Sequence, residues 1–234
     1  MGVIGSRRMT GYGRDCVEKI VPQLVMSGWT IVSGLMYGVD QTAHEVCLDC
    51  GGRTIAVLGW GIDYIAGEKE QKLQDRIVQN NGLVVSLWEN QIGTNWTFPS
   101  RNKVVADICH ELIVVEAAAK SGALLTARMT QKLNKKIWAV PGPITSSVSI
   151  GTNKLLAEKN ASPWLENPIQ TSDIHIQDPI QKQILKILQN ENLGIDEIIR
   201  RSGKSSPDIS SRLSLLTLSG FVIEKAGLYR VSQG

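Results

Sequence analysis

Apolar residues fall along the chain in short, unalternating runs separated by amphipathic stretches. Six runs end in or beside a small residue: "VIGS" at 3–6, "WTIVSG" at 29–34, "RTIAVLG" at 53–59, "GLVVS" at 82–86, "ELIVVEA" at 111–117 and "KIWAVPG" at 136–142. They are β-branched and about five residues long, the pattern of strands buried on both faces. Between them the periodicity becomes helical. Residues 14–27 place Val17, Ile20, Val21, Leu24 and Val25 on one stripe, with Pro22 expected to kink it and Gly28 to end it. Asp40 is expected to cap a second helix and Ser121 another. Strands alternating with helices predict a mostly parallel sheet covered on both faces, with right-handed crossovers.

In such a sheet the ligand site lies beyond the carboxyl ends of the strands. The glycine- and serine-rich turns "GSRR", "SGLMYGVD", "GWGID", "KSGALLTA" and "PGPITSSVSIGTN" all follow strands, so they gather on that edge. Small residues let backbone approach a ligand, and helix N-termini favour anions. An anionic, phosphate-bearing ligand is the expectation. The stretch "FPSRNKVV" at 98–105 has two readings: a strand-entry loop with solvated cations, or a surface where a ring and cations meet a ligand.

Several chemistries drop out. The Walker pattern GxxxxGK[ST] is absent, and Gly59-Trp60-Gly61 begins a dinucleotide fingerprint that fails at Tyr64. No nucleophile–base pair stands out. His44, four residues after Asp40, reads as a structural contact, and Glu116 is the one carboxylate to watch. Cys47 and Cys50 form a CxxC, but with Ala43 and Val46 they fall on a buried helical stripe, and no second CxxC or paired His completes a zinc site. No metal or cofactor is expected.

The 234 residues carry a net charge of +3, which permits an anionic partner without demanding one. No apolar run approaches the roughly 20 residues needed to cross a bilayer. The opening "MGVIGSRR" lacks the shape of a signal peptide and begins almost inside the first strand; a cytosolic protein is the expectation.

A second module follows. Residues 1–162 form the first domain in this reading, and the proline-containing stretch 163–177 is a linker. Residues 178–234 make a small winged helix. Asp178-Pro179 opens a helix bearing Ile180, Ile184, Ile187 and Leu188. A second helix carries Ile195, Ile198 and Ile199 and stops at Gly203; Pro207 opens a third with Ile209, Leu213 and Leu216. A hairpin around Ala226-Gly227 completes it. The third helix shows Ser210, Ser211, Ser214 and Arg212 outward, and from Thr171 onward eight Lys/Arg face seven Asp/Glu. Strong duplex binding calls for a basic face, so DNA reading and protein interaction remain equal readings of this module.

The ordered motifs "VIGSRRMTGYG", "IVSGLMYGVDQTAH", "GGRTIAVLGWGID", "FPSRNKVV", "VVEAAAKSGALLTA" and "WAVPG…GTN" closely resemble the DNA-processing protein A family (DprA/Smf) over about residues 1–160. The tail resembles the winged helix found in many members. The resemblance implies an extended Rossmann-like fold that binds single-stranded DNA, forms homodimers and loads RecA during natural transformation, with no catalytic activity. By this resemblance Phe98 is the base-contacting aromatic, and Arg101, Asn102 and Lys103 are the adjoining segment, with Lys103 where Arg is common. Gly5, Ser6, Arg7 and Arg8 match the first glycine turn. Ser33, Gly34 and Gly38 match the second, where Tyr37 is a departure able to stack on a base, and Ser121, Gly122 and Ala123 match a third, with Ala123 in place of Ser. A ring beside a basic groove suits single strands on physical grounds too, since every base offers a π-face. The chain departs from the family at Met36 and Tyr37, where an Arg usually points towards DNA, and at "IAGEKE" (65–70), which replaces a "YPxEN" segment. Alternative readings are a nucleotide-processing enzyme of the phosphoribohydrolase type, whose "PGGxGTxxE" motif is missing here, and a winged-helix regulator.

Overall fold

The six apolar runs become six strands of one sheet. The computed structural model describes residues 1–165, 178–189, 191–218, 221–225 and 227–231. In chain order the larger unit contains β1 (Gly2–Ile4), α1 (Gly11–Met26), β2 (Ile31–Ser33), α2 (Val39–Asp49), β3 (Thr54–Val57) and α3 (Glu68–Gln79). It continues with β4 (Leu83–Val85), α4 (Thr97–Ile108), β5 (Leu112–Val114), α5 (Gly122–Lys132), β6 (Ile137–Ala139), α6 (Ile150–Ala157) and β7 (Ser162–Pro163). The seven strands lie in the order β4-β3-β2-β1-β5-β6-β7, and every pairing is parallel.

Both faces are covered, which explains why the strands do not alternate in polarity. Along β3, Ile55 and Val57 enter a core shared with Val105 of α4, Leu124 and Ala127 of α5, and Leu155 of α6. Ala56 and the following Leu58 enter the opposite core, with Leu48 of α2 and Leu73 and Ile77 of α3. Strand order reverses at β1, with β2 on one side and β5 on the other. That reversal opens a crevice at the carboxyl ends of β1 and β5.

Several local readings need correction. Asp40 does not cap α2: Gly38 holds that position with φ 86°, and Asp40 sits buried in the first turn. Gly38 is required there because a Cβ would run into the carbonyls of Ser6 and Arg7. The segment "FPSRNKVV" is not a strand-entry loop but the start of α4, where Pro99 falls in the first turn and its missing N–H costs nothing. The "IGTN" end of the last glycine-rich turn is the first turn of α6. Helix α1 runs continuously through Pro22. Cys50 is exposed rather than on the buried stripe, and among the described residues no group of His, Cys, Asp and Glu could hold a metal ion.

The smaller unit contains α7 (Pro179–Ile187), β8 (Leu193–Gly194), α8 (Ile195–Ser202), α9 (Ser206–Leu218), β9 (Val222–Lys225) and β10 (Leu228–Val231). Its three strands pair antiparallel in the order β8-β10-β9. Ile184, Leu188, Leu193, Ile198, Ile209, Leu213, Leu216 and Val222 form its core. This is a winged helix, with a third strand, β8, that the sequence reading lacked. Gly203 ends α8 in the left-handed region at φ 64°. Most of the linker, residues 166–177, and Ala226 of the hairpin turn lie outside the described residues.

Asp178 opens α7: its Oδ1 accepts the N–H groups of Ile180 and Gln181 at 2.8 and 3.3 Å, and its Oδ2 accepts Arg212 Nε at 3.2 Å. Partial burial alone would raise this carboxyl; the two backbone donors and the guanidinium outweigh it and hold its pKa below the usual value. A carboxylate with a lowered folded-state pKa stabilises the fold above its unfolded pKa, and that contribution is lost as pH falls through the folded value. Asp178→Ala should destabilise the winged helix by about 1 kcal/mol at neutral pH. In chemical denaturation of the full chain, the difference from wild type should shrink below about pH 4.

Candidate nucleic-acid interface

The crevice at the strand reversal has a volume of about 740 Å³. Its walls come from four segments: Gly5 to Arg8 after β1, Gly34 after β2, the first turns of α4, and Ala118 to Thr126 running from the end of β5 into α5. Ser147 and Val148, from the turn before α6, close one side. Glycine lets these turns meet. A Cβ on Gly5 would press on Val39, and one on Gly34 would overlap both the Arg101 guanidinium and the Asp40 carboxylate.

Arg101 is the anchor of the floor. It is only 3% exposed. Its Nη1 donates to the Gly34 carbonyl and, at 2.9 Å, to the Val57 carbonyl, joining α4 to the ends of β2 and β3. Burial lowers its pKa to about 10, opposed by the charge of Asp40 and reinforced by that of Arg7. Burial raises the Asp40 pKa, a shift that the Arg101 charge and the N–H groups of Gly5 and Met36 oppose without cancelling. Arg101 is therefore tied into the scaffold rather than offered as an open groove cation.

The accessible cations are elsewhere. Arg7, Arg8 and Lys120 are exposed on the crevice walls, and Asp40 is the one carboxylate among the described lining residues. The Arg7 guanidinium lies 5.0 Å over the Phe98 ring and 6.0 Å from the ring of Tyr37, which is 54% exposed at the mouth. Phe98 is half-buried, its edge against Gly59, where a Cβ would collide with it. Ser121 caps α5, its Oγ accepting the Ala123 N–H at 3.2 Å. The space before Gly122 is open, with Asn102 Nδ2 3.9 Å from where a Cβ would stand. The N-terminus of this helix thus faces the crevice with its positive end.

Of the residues singled out from sequence, the fold brings Gly5, Ser6, Arg7, Arg8, Gly34, Phe98, Arg101, Asn102, Ser121, Gly122 and Ala123 to the crevice. Four do not line it. Ser33 is buried behind, donating to the Val3 carbonyl at 2.6 Å; Gly38 braces the Ser6 turn; Tyr37 stands beside Arg7; Lys103 is exposed on α4 outside the walls. Lys120, Asn95, Ser147 and Val148 were not singled out. Lys120, Ser147 and Val148 lie within quoted turns and were legible there; nothing in the sequence marks Asn95.

Two watched residues have structural partners. Glu116 is buried, with its carboxylate accepting the Thr10 N–H at 2.9 Å and the Thr10 hydroxyl at 2.5 Å, while Thr10 Oγ1 accepts the Gly13 N–H and so starts α1. His44 Nδ1 meets Thr54 Oγ1 at 2.6 Å, and burial lowers its pKa to about 3, so it stays neutral.

A parallel sheet with an anion-compatible crevice at the strand reversal defines a Rossmann-like binding protein. Comparison with known proteins narrows this. The family profile "DNA recombination-mediator protein A" matches residues 1–174, and "DprA winged helix domain" matches residues 168–227. The chain belongs to the DNA recombination-mediator protein A family. Protein Smf of Synechocystis is 31% identical, with 97% of this chain and 69% of that protein covered. The DNA processing protein DprA of Streptococcus pneumoniae is 34% identical over 68% of this chain and 56% of its own length. The X-ray structure of the S. pneumoniae protein superposes with a TM-score of 0.64 over 70% of this chain and 57% of that one. The DNA processing protein A of Helicobacter pylori, described for its single-stranded DNA binding mode, gives 0.63 at 31% identity over 69% and 73%. The chain thus spans between about half and two thirds of the length of several relatives it matches.

Replacing Arg101 would strand Asp40 as an unpaired buried charge, so Arg101→Ala should destabilise the larger unit by about 3–5 kcal/mol. Lys103→Ala should change stability by less than about 0.5 kcal/mol. Urea denaturation followed by circular dichroism checks both, and equal losses would contradict the structural role of Arg101.

Proposed function

We propose that the crevice binds single-stranded DNA and that the protein acts as a recombination mediator in the uptake and processing of DNA. The observation that carries this reading is the set of exposed cations, Arg7, Arg8 and Lys120, lining one crevice with Phe98 and a helix N-terminus, Arg7 lying over the Phe98 ring, while the one lining carboxylate faces the Arg101 charge. Cations supply the salt-sensitive phosphate contact. The ring supplies sequence-independent stacking. Asp40, charge-paired at the floor, offers no free general base, which counts against the phosphoribohydrolase reading. The H. pylori relative, characterised for single-strand binding, supports the same ligand. Family membership supports RecA as the protein partner and a homodimer as the working form.

The winged-helix regulator reading is weaker. Arg200 and Arg201 of α8 are paired with Glu197 and Glu191, and Arg212 of α9 is paired with Asp178 and Asp208. These cations are engaged within the unit, leaving the serine-rich face of α9 weakly equipped to follow a duplex backbone.

Titration of fluorescent oligo-dT by anisotropy tests the proposal. Phe98→Ala should weaken binding about tenfold, and Arg7→Ala should weaken it while reducing the log–log salt slope by about 0.7. Unchanged affinity in both variants, or preference of the wild type for matched duplex, would overturn it.

A further inference from the structure

The loops that follow β3 and β4 lock onto each other beside the crevice. The N–H groups of Gly61, Ile62 and Asp63 donate to the carbonyls of Gln91, Trp88 and Glu89 at 2.7, 2.9 and 2.9 Å, and Ser86 Oγ donates to the Trp60 carbonyl at 2.6 Å. From this layer Trp96 stands out, 55% exposed. Such a large apolar ring normally finds cover.

Its position is fixed rather than loose. Trp88 meets it edge-on, with ring centroids 5.4 Å apart and planes at 89°. Just ahead of α4, the Thr94 N–H donates to Thr97 Oγ1 at 2.8 Å, and that hydroxyl donates back to the Thr94 carbonyl at 3.0 Å. Ser100 Oγ donates to the Trp96 carbonyl at 3.0 Å. The chain neighbours of Trp96 belong to the crevice: Asn95 precedes it on the wall, and Phe98 follows two residues on. Gly93, in the same loop, packs close to the Phe98 ring.

Charge indicates which part of a strand this surface could take. Residues 82–100 contain no Lys or Arg and one carboxylate, Glu89. The loop cannot neutralise phosphate, but it presents a braced π-surface next to cations that can. We propose that Trp96, supported by Trp88, is a second nucleobase platform, taking a base of the strand where it leaves the crevice. The proposal rests on single-strand binding in the crevice and adds a contact outside it that is stacking alone.

That separation makes it testable. Trp96→Ala should weaken binding of a long oligo-dT by about five- to tenfold with no change in salt slope, because no phosphate contact is lost. Arg7→Ala should lower the slope. Trp96→Phe should keep most of the affinity while losing most of the tryptophan fluorescence quenching that oligo-dT produces in the wild type. Trp96 is exposed, so circular dichroism should show both variants folded. Wild-type affinity in Trp96→Ala overturns the platform alone and leaves the surface to another occupant, a protein partner or a second copy. A salt slope that falls with Trp96→Ala also overturns it. Failure of the wild type to bind any single strand overturns both the platform and the function it rests on.

Discussion

A buried guanidinium holds the crevice together. Arg101 reaches from α4 to the carbonyls that end β2 and β3, and its charge stands against Asp40 in the first turn of α2. Two charges removed from water are costly unless their remaining groups are satisfied. Here two carbonyls accept from Nη1 of the cation, the N–H groups of Gly5 and Met36 face the carboxylate, and the buried Nε of Arg101 has no hydrogen-bond partner among the described residues. The arrangement fixes three turns at the strand reversal and leaves the floor close to electrically balanced. It also explains why Gly34 has no room for a side chain. Everything the crevice offers a ligand is mounted on this frame.

With the floor balanced, the walls set the sign of the field. Arg7, Arg8, Lys120 and the N-terminus of α5 all present positive charge, and no free carboxylate opposes them among the described lining residues. Arg7 lies over Phe98, 5.0 Å from its ring centroid. Tyr37, outside the walls, places a second ring 6.0 Å from the same guanidinium. The smaller unit follows the opposite design on α8 and α9: Arg200, Arg201 and Arg212 are paired within it.

Much of the fold was legible because burial on both faces leaves a plain signature. Each of the six apolar runs contains a strand, and the glycine turns do gather at their carboxyl ends. The family relationship and the winged helix were legible as well. The roles of Arg101 and Asp40 were not. An arginine beside a phenylalanine in a polar stretch looks the same whether it faces water or two distant carbonyls, since its partners lie 67 and 44 residues away in sequence. The start of α4 was obscured by Pro99 and by a cap that relies on Thr94 and Thr97 rather than a single capping side chain. The strand β8 is two residues long, too short for any period to register.

Where a single strand lies on the protein decides between the crevice and the winged helix. Photo-crosslinking with oligo-dT carrying 4-thiothymidine, followed by mass spectrometry of the modified peptides, locates it directly. Adducts concentrated between Gly5 and Arg8 and between Asn95 and Asn102 are the predicted result. Adducts confined to α9 and the β9–β10 hairpin, with the crevice peptides unmodified, would contradict it.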